Sequence, residues 1–114
     1  MGGNPAEADL PEGAALQVDG TVFYVLRYPI SYQKGGKEER VETVIVRRKT
    51  MADNLAIKSF DNPLDIAVTL ISRLCDLELP IVSKMDDVDA EAIGEIIEGF
   101  TRPGRATGNS APAP

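Results

Sequence analysis

The chain has 114 residues and a formal net charge of −6, and it contains one cysteine and no histidine. This length predicts one domain, while the negative charge disfavours nucleic acid or an anionic membrane as the principal partner. Without histidine, the chain lacks the base that usually activates a nucleophile, and a lone cysteine excludes an internal disulfide. We therefore expect a non-enzymatic, cytoplasmic protein with no cofactor and no metal ion.

Both ends of the chain have the composition of disordered tails. Residues 1–15 and residues 101–114 are rich in glycine, proline and alanine, and neither segment shows hydrophobic periodicity. Pro103 and Gly104 also disfavour a helix that continues into the second segment. We assign residues 16–100 to one folded domain between these tails.

The first regular element is a β-hairpin. Alternation over 22–32 predicts a strand with one buried face, formed by Val22, Tyr24, Leu26, Tyr28, Ile30 and Tyr32. Pro29 cannot donate to a ladder, so it marks an edge, a bulge or the end of regular pairing. The turn at 33–38 contains two glycines, and 41–48 returns as the second strand. Because an isolated hairpin is marginally stable, it must pack on helices, gain a third strand or pair with another subunit.

Helix-start chemistry follows the second strand directly. Thr50 and Asp53 have the spacing of a capping box, with Asp in place of the usual Glu or Gln. The carboxylate would also lie at the positive end of the helix dipole. This pattern predicts a short helix over 51–59, and we interpret both residues as structural caps before any role in binding.

The second helix begins with another cap. Asn62 is the predicted N-cap, proline occupies the first helical position, and Asp65 adds an acidic group in the first turn. The helix is predicted to end near Leu77. Its apolar residues form one stripe at helical spacing, which consists of Ile66, Ala67, Leu70, Ile71 and Leu74.

Two further helices complete the pattern. A proline in a first turn predicts a short helix over 80–85. Asp86 or Asp87 caps the last helix, which runs to Phe100 with Gly99 as a stop signal. The elements together predict an α+β domain with an N-terminal antiparallel β-hairpin followed by three to four short α-helices.

Charge is distributed unevenly along the folded part. Residues 27–49 include seven basic and three acidic residues, a balance of +4. Residues 76–98 include eight acidic residues and one lysine, a balance of −7. The two halves can attract each other across the fold or form solvated faces, or the acidic end can face a basic partner.

Two motifs that suggest chemistry have simpler explanations. The acidic residues of 87–98 are spaced as in a calcium-binding EF-hand loop, but Ala92 occupies the position that needs glycine. The apolar periodicity of this window indicates a helix with an acidic first turn instead. Cys75 lies beside the apolar stripe of the second helix, where a structural thiol is expected.

An ordered set of short motifs runs through the folded part. They are Tyr28-Pro29-Ile30 in a strand, a Gly-containing turn, Arg47-Arg48-Lys49-Thr50 followed by Asp53, Leu70–Leu77, Leu79-Pro80, Met85-Asp86, and a final helix that starts near Asp89. Over 22–100 this order resembles the small tail assembly chaperones of Mu-like and P2-like contractile-tailed phages. There the pattern reads strand, L-R-x-P-T-x-x-D, helix, L-x-x-L-T-G-L-P, L-x-x-L-D-x-x-D, helix. Here Lys49 replaces the usual proline, and the link between helices lacks its glycine.

The resemblance implies a non-enzymatic role in virion morphogenesis of a phage or prophage. Proteins of that family are thought to cover the long tail tape measure protein and to recruit tail tube protein to it. They act in the host cell cytoplasm and leave before the virion is complete. The resemblance therefore implies tape measure and tail tube proteins as partners, with a homo-oligomer as a further arrangement.

Two surfaces are candidates for these contacts. The positive hairpin end, formed by Arg47, Arg48 and Lys49, is a candidate for self-association or contact with tail tube protein. Leu77 and Ile97, if exposed on the helices, are candidates for binding the tape measure protein. The alternative function is a small regulatory or nucleic-acid-associated domain that uses the basic hairpin.

Overall fold

The computed structural model of the chain describes residues 10–101. Three antiparallel strands form one sheet in the order β1-β2-β3, namely β1 (Ala14–Leu16), β2 (Val22–Lys34) and β3 (Lys37–Val46). Four helices follow, namely α1 (Met51–Ile57), α2 (Pro63–Cys75), α3 (Leu79–Val82) and α4 (Asp87–Thr101). The predicted α+β class is confirmed, and the predicted tail residues 1–9 and 102–114 lie outside the described part of the chain.

The β2–β3 hairpin closes where the sequence predicts it. Lys34 pairs with Lys37, and Gly35 and Gly36 between them adopt φ angles of 58° and 81°. These positive angles suit a two-residue hairpin turn, in which glycine has no steric cost. The hairpin gains its third strand from β1, where Ala14 pairs with Tyr24. β1 thus begins inside residues 1–15, which the sequence analysis assigned to the N-terminal tail. The strand was not predicted because three residues are too few to show a strand periodicity.

A wide bulge interrupts β2 in its middle. Val25 pairs with Thr43 and Ile30 pairs with Val41, so residues 26–29 of β2 face the single residue Glu42 of β3. Of the alternatives that Pro29 left open, the structure adopts the bulge. The bulge also breaks the predicted alternation, since Tyr28 is 47% exposed and does not lie on the buried face.

The helices cover one face of the sheet and enclose an aliphatic core. Its buried side chains come from β2, β3 and all helices except α1, namely Val22, Tyr24, Leu26, Ile30, Val44, Val46, Leu70, Ile71, Leu74, Cys75, Val82, Ile93, Ile96 and Ile97. In α4, Ile93, Ile96 and Ile97 are buried, whereas Val88 in the first turn is 49% exposed. The face that is buried begins at Asp89.

Helix ends differ from the predictions by a few residues. α2 ends at Cys75, two residues before the predicted Leu77, because Asp76 adopts the left-handed conformation with φ 57°. At the other end of the domain, α4 passes through the predicted stop Gly99 and extends to Thr101. Asp86 is its N-terminal cap, since its carboxylate accepts from Val88 N–H at 2.9 Å.

Candidate functional site

The carboxylate of Asp53 is fully buried at the junction of β3, α1 and α2. Two terminal nitrogens of Arg47 donate to its two oxygens at 2.9 and 2.8 Å, which makes a bidentate pair. Arg73 of α2 donates from Nε at 2.8 Å. The backbone N–H of Thr50 donates to the same carboxylate at 2.8 Å, which confirms the predicted capping pair.

This set of donors determines the charge state of Asp53. The Arg47 guanidinium holds the pKa of the Asp53 carboxyl well below its usual range, with Arg73 and Thr50 acting in the same direction against the effect of burial. The same pair raises the pKa of Arg47. Asp53 is therefore ionised at neutral pH, and it joins the end of the sheet to two helices.

A second buried carboxylate, Asp89, lies in the first turn of α4. It accepts from the backbone N–H groups of Arg27 and Tyr28 at 2.8 and 2.9 Å. Both residues belong to the bulge of β2, where regular pairing with β3 is interrupted. The carboxylate thus satisfies two backbone donors that the bulge releases from the ladder.

The phenol of Tyr24 completes this second cluster. Its hydroxyl donates to Asp89 at 2.6 Å, and both groups are buried. Burial first, and then the hydrogen bond to Asp89, raise the pKa of Tyr24 above its ordinary value. Sequence reasoning treated Asp89 as one of several solvated acids. The signal it missed is the spacing, since Asp89, Ile93, Ile96 and Ile97 follow one helical stripe.

The other predicted caps occupy the positions assigned to them. Asn62 accepts from Leu64 N–H at 2.8 Å and is the N-cap of α2. Asp65 lies in the first turn of that helix and is exposed. Both residues are local structural groups that favour the start of α2.

The basic hairpin end is held by contacts within the chain. Arg47 is bound to Asp53, and the guanidinium of Arg48 lies 5.4 Å from the centre of the Phe100 ring at the end of α4. Lys49 is half-buried, and Arg48 is exposed. These three consecutive residues thus follow β3 directly, and two of them contact α1 and the end of α4.

The expected exposure of Leu77 and Ile97 is wrong. Ile97 is 7% exposed and belongs to the core, because α4 is rotated so that its isoleucines face the sheet. Leu77 is half-buried and its side chain packs against the core, and Ser72 Oγ donates to its carbonyl oxygen at 2.6 Å. Neither side chain is available as an exposed anchor.

Four exposed apolar side chains lie close together in the sequence, on α1, at the start of α2 and in the link between them, and we call this segment the α1–α2 corner (Met51, Leu55, Phe60 and Leu64). These four are among the ten large apolar side chains that are exposed within residues 10–101. Met51 is 72% exposed, Leu55 60% and Leu64 69%. The sequence analysis gave these four residues no role.

Within residues 10–101, no three His, Cys, Asp or Glu side chains are grouped so that they could hold a metal ion. None of the helices in this range has the length and apolarity needed to cross a bilayer. Burial raises the pKa of the Cys75 thiol to about 12, so it is an inert thiol at neutral pH.

Comparisons with protein-family models, with curated proteins and with solved structures found no match for this chain. The tail assembly resemblance therefore depends on the motifs alone. One of these motifs ends on Asp53, and the final helix of the ordered set starts near Asp89. They are also the two buried charged residues among those described. The motif residues thus have a clear role in holding the fold, which is separate from any contact with a partner.

Proposed function

We propose that this protein is a non-enzymatic tail assembly chaperone that binds tail tape measure protein, tail tube protein or both in the host cell cytoplasm. Two observations support the proposal. The ordered motifs over 22–100 resemble that family, and their two aspartates have defined structural roles in this fold. The α1–α2 corner supplies an apolar surface on a small domain, which is typical of a protein that binds other proteins.

The orientation of α1 is the observation that carries the proposal. A short amphipathic helix normally buries its apolar side chains and exposes its charged ones. In α1 the fully buried side chain is that of Asp53, whereas Met51 and Leu55 are largely exposed. The helix is held by Asp53 and by Ile57, which is partly buried against the core, while Met51 and Leu55 are left for a partner.

The chemistry of this corner suits a helical partner. Met51 and Leu55 are separated by one helical turn, so they lie on the same face of α1. Leu64 follows in the first turn of α2, which packs beside α1. Such anchors bind an amphipathic helix through apolar contacts, and a long tape measure protein would expose helical apolar surface before the tube forms around it.

Co-expression with the tape measure protein encoded nearby tests the proposal. We expect the chain to keep that protein soluble and to elute with it in size-exclusion chromatography, with a complex mass that gives the stoichiometry. The double variant M51S/L55S should lose the complex, because serine removes the apolar contact area without disturbing buried groups.

The matched control is the double variant V18S/L79S. Val18 and Leu79 are exposed apolar residues outside the corner, with exposed fractions of 109% and 52%. This variant should bind as the wild type does. If the tape measure and tail tube proteins both elute separately from the wild-type chain, the proposed function is wrong.

A further inference from the structure

The edge of β3 that faces away from β2 carries backbone groups that form no hydrogen bond within residues 10–101. The N–H of Arg47 points away from β2 and donates to Leu74 O at 3.1 Å. Because alternate residues of a strand direct their backbone groups to the same side, Ile45 and Thr43 also direct theirs outward. Within residues 10–101 these outward groups have no hydrogen-bond partner.

A groove of about 770 Å³ runs beside this edge. One wall is β3 from Thr43 to Arg47, and the other is the end of α2 with the residues that follow it, from Arg73 to Leu77. Its volume is within the range of ligand-binding sites in proteins. The walls combine apolar atoms of Ile45 and Leu77 with the guanidinium groups of two arginines.

Arg73 has hydrogen-bond donors that the fold does not use. Its Nε is bound to the buried Asp53 at 2.8 Å, whereas its two terminal nitrogens have no partner among the described residues. The side chain is 39% exposed and lines the groove. An arginine held in this way loses little conformational entropy when it binds a carboxylate with its free end.

Among the charged residues at the groove, Arg73 is the one that favours an acidic ligand. Arg47 and Arg73 line it, and Arg48 and Lys49 follow directly along the chain. The opposing charges are those of Asp53, which is fully buried, and Asp76 on the rim. Glu42 and Glu78, which also adjoin the lining residues, offset Arg48 and Lys49, so the donors left for an acidic ligand are the two terminal nitrogens of Arg73, which have no partner among residues 10–101.

We propose that this groove binds an extended acidic segment of a partner protein by strand addition to β3. The segment pairs with the backbone groups of Thr43 and Ile45, and a carboxylate of the segment binds the terminal nitrogens of Arg73. The inference rests on the proposed function only in taking the ligand to be a protein. It concerns a surface separate from the α1–α2 corner, and it is tested without the tape measure protein.

The probe is the capped hexapeptide acetyl-TVEVTV-amide, which is titrated into the full-length chain and followed by amide NMR spectra. We expect shifts at Thr43 and Ile45 and in the side chain of Arg73. The peptide with Gln in place of Glu should bind about tenfold more weakly, because it loses a charge-assisted pair. Arg73→Lys should cause a similar loss, since lysine keeps the charge but lacks the forked donors.

Thr43→Pro tests the edge itself. Because the N–H of residue 43 points outward, proline removes a donor at the groove without removing a bond of the β2–β3 ladder. Its matched control, Thr43→Val, keeps the N–H and should bind as the wild type does. Unfolding curves for each variant separate a loss of binding from a loss of fold.

Three results would overturn the inference. The first is equal binding of the Glu and Gln peptides, and the second is the absence of shifts at Thr43 and Ile45 at millimolar peptide. The third is concentration-dependent dimerisation that Thr43→Pro abolishes, since the edge would then be occupied by a second copy of the chain. Each result leaves the binding of the tape measure protein through the α1–α2 corner open to its own experiment.

Discussion

The carboxylate of Asp89 accepts the hydroxyl of Tyr24 at 2.6 Å, although the two residues are 65 positions apart in the sequence. Through this contact and the N–H groups of Arg27 and Tyr28, the first turn of α4 is attached to the bulge of β2. A bulge of this size leaves backbone donors that would be costly to bury without acceptors. The bulge and the start of α4 therefore depend on each other.

Asp89→Asn should destabilise the fold. The amide keeps one acceptor but presents an NH₂ group to a site where all three partners are donors. We expect a loss of about 2–4 kcal/mol in the free energy of unfolding, measured by urea titration. Asp87→Asn, on the exposed side of the same helical turn, is the control and should cost under about 0.5 kcal/mol. Equal effects of the two changes would contradict the role of Asp89.

Asp53 should make stability depend on pH in the acidic range. Its pKa is lower in the folded state than the ordinary value of about 3.9, so the unfolded chain binds the proton more readily. The stabilisation is fully present above the ordinary pKa and is lost as the pH falls below it toward the depressed value.

Asp53→Asn should therefore cost about 2–3 kcal/mol at pH 7, and this difference from the wild type should shrink at pH 3. The expected cost is moderate because both arginines are partly exposed and can regain water. Urea unfolding at pH 7, 5 and 3 measures it, with Asp65→Asn as the exposed control. A cost that is the same at all three pH values would rule out this linkage.

Stability and binding should separate at Ile97 and Leu55. Ile97→Ala opens a cavity in the core and should cost about 2–4 kcal/mol in the free energy of unfolding. Leu55→Ala removes a side chain that is 60% exposed and should leave stability within about 0.5 kcal/mol while it weakens the tape measure complex. Thermal unfolding and co-elution give the two readouts. A stable Ile97→Ala variant that fails to bind would reverse the assignment of the two surfaces.

Cys75 should resist modification in the folded protein. Burial raises the pKa of its thiol to about 12, so little thiolate exists at pH 8. We expect the reaction with a chromogenic disulfide reagent at pH 8 to be slowed by at least about tenfold relative to the chain unfolded in guanidinium chloride. Comparable rates in the two states would show that α2 opens readily at its end.

The features that the sequence predicts well are those whose causes lie within a few residues. The hairpin turn depends on Gly35 and Gly36, and the start of α2 depends on Asn62 and the proline that follows it. Thr50 and Asp53 form their cap across three positions. The residue types needed for these conformations are adjacent in the chain, so local chemistry is enough to predict them.

Contacts between distant segments decide the rest. Arg73 reaches Asp53 across 20 positions, and Asp89 reaches the bulge across more than 60. β1 is too short to predict because it exists only in pairing with β2.

The sequence by itself determined the α+β class, the hairpin and the sites where the helices begin, because turns and caps arise from neighbouring residues. Only the tertiary structure decided that two of the many acidic residues are buried, that Ile97 is in the core and that Met51 and Leu55 are exposed. The rotation of each helix about its axis is set by packing of the whole core, and a short helix carries too few residues to specify that rotation in its own sequence.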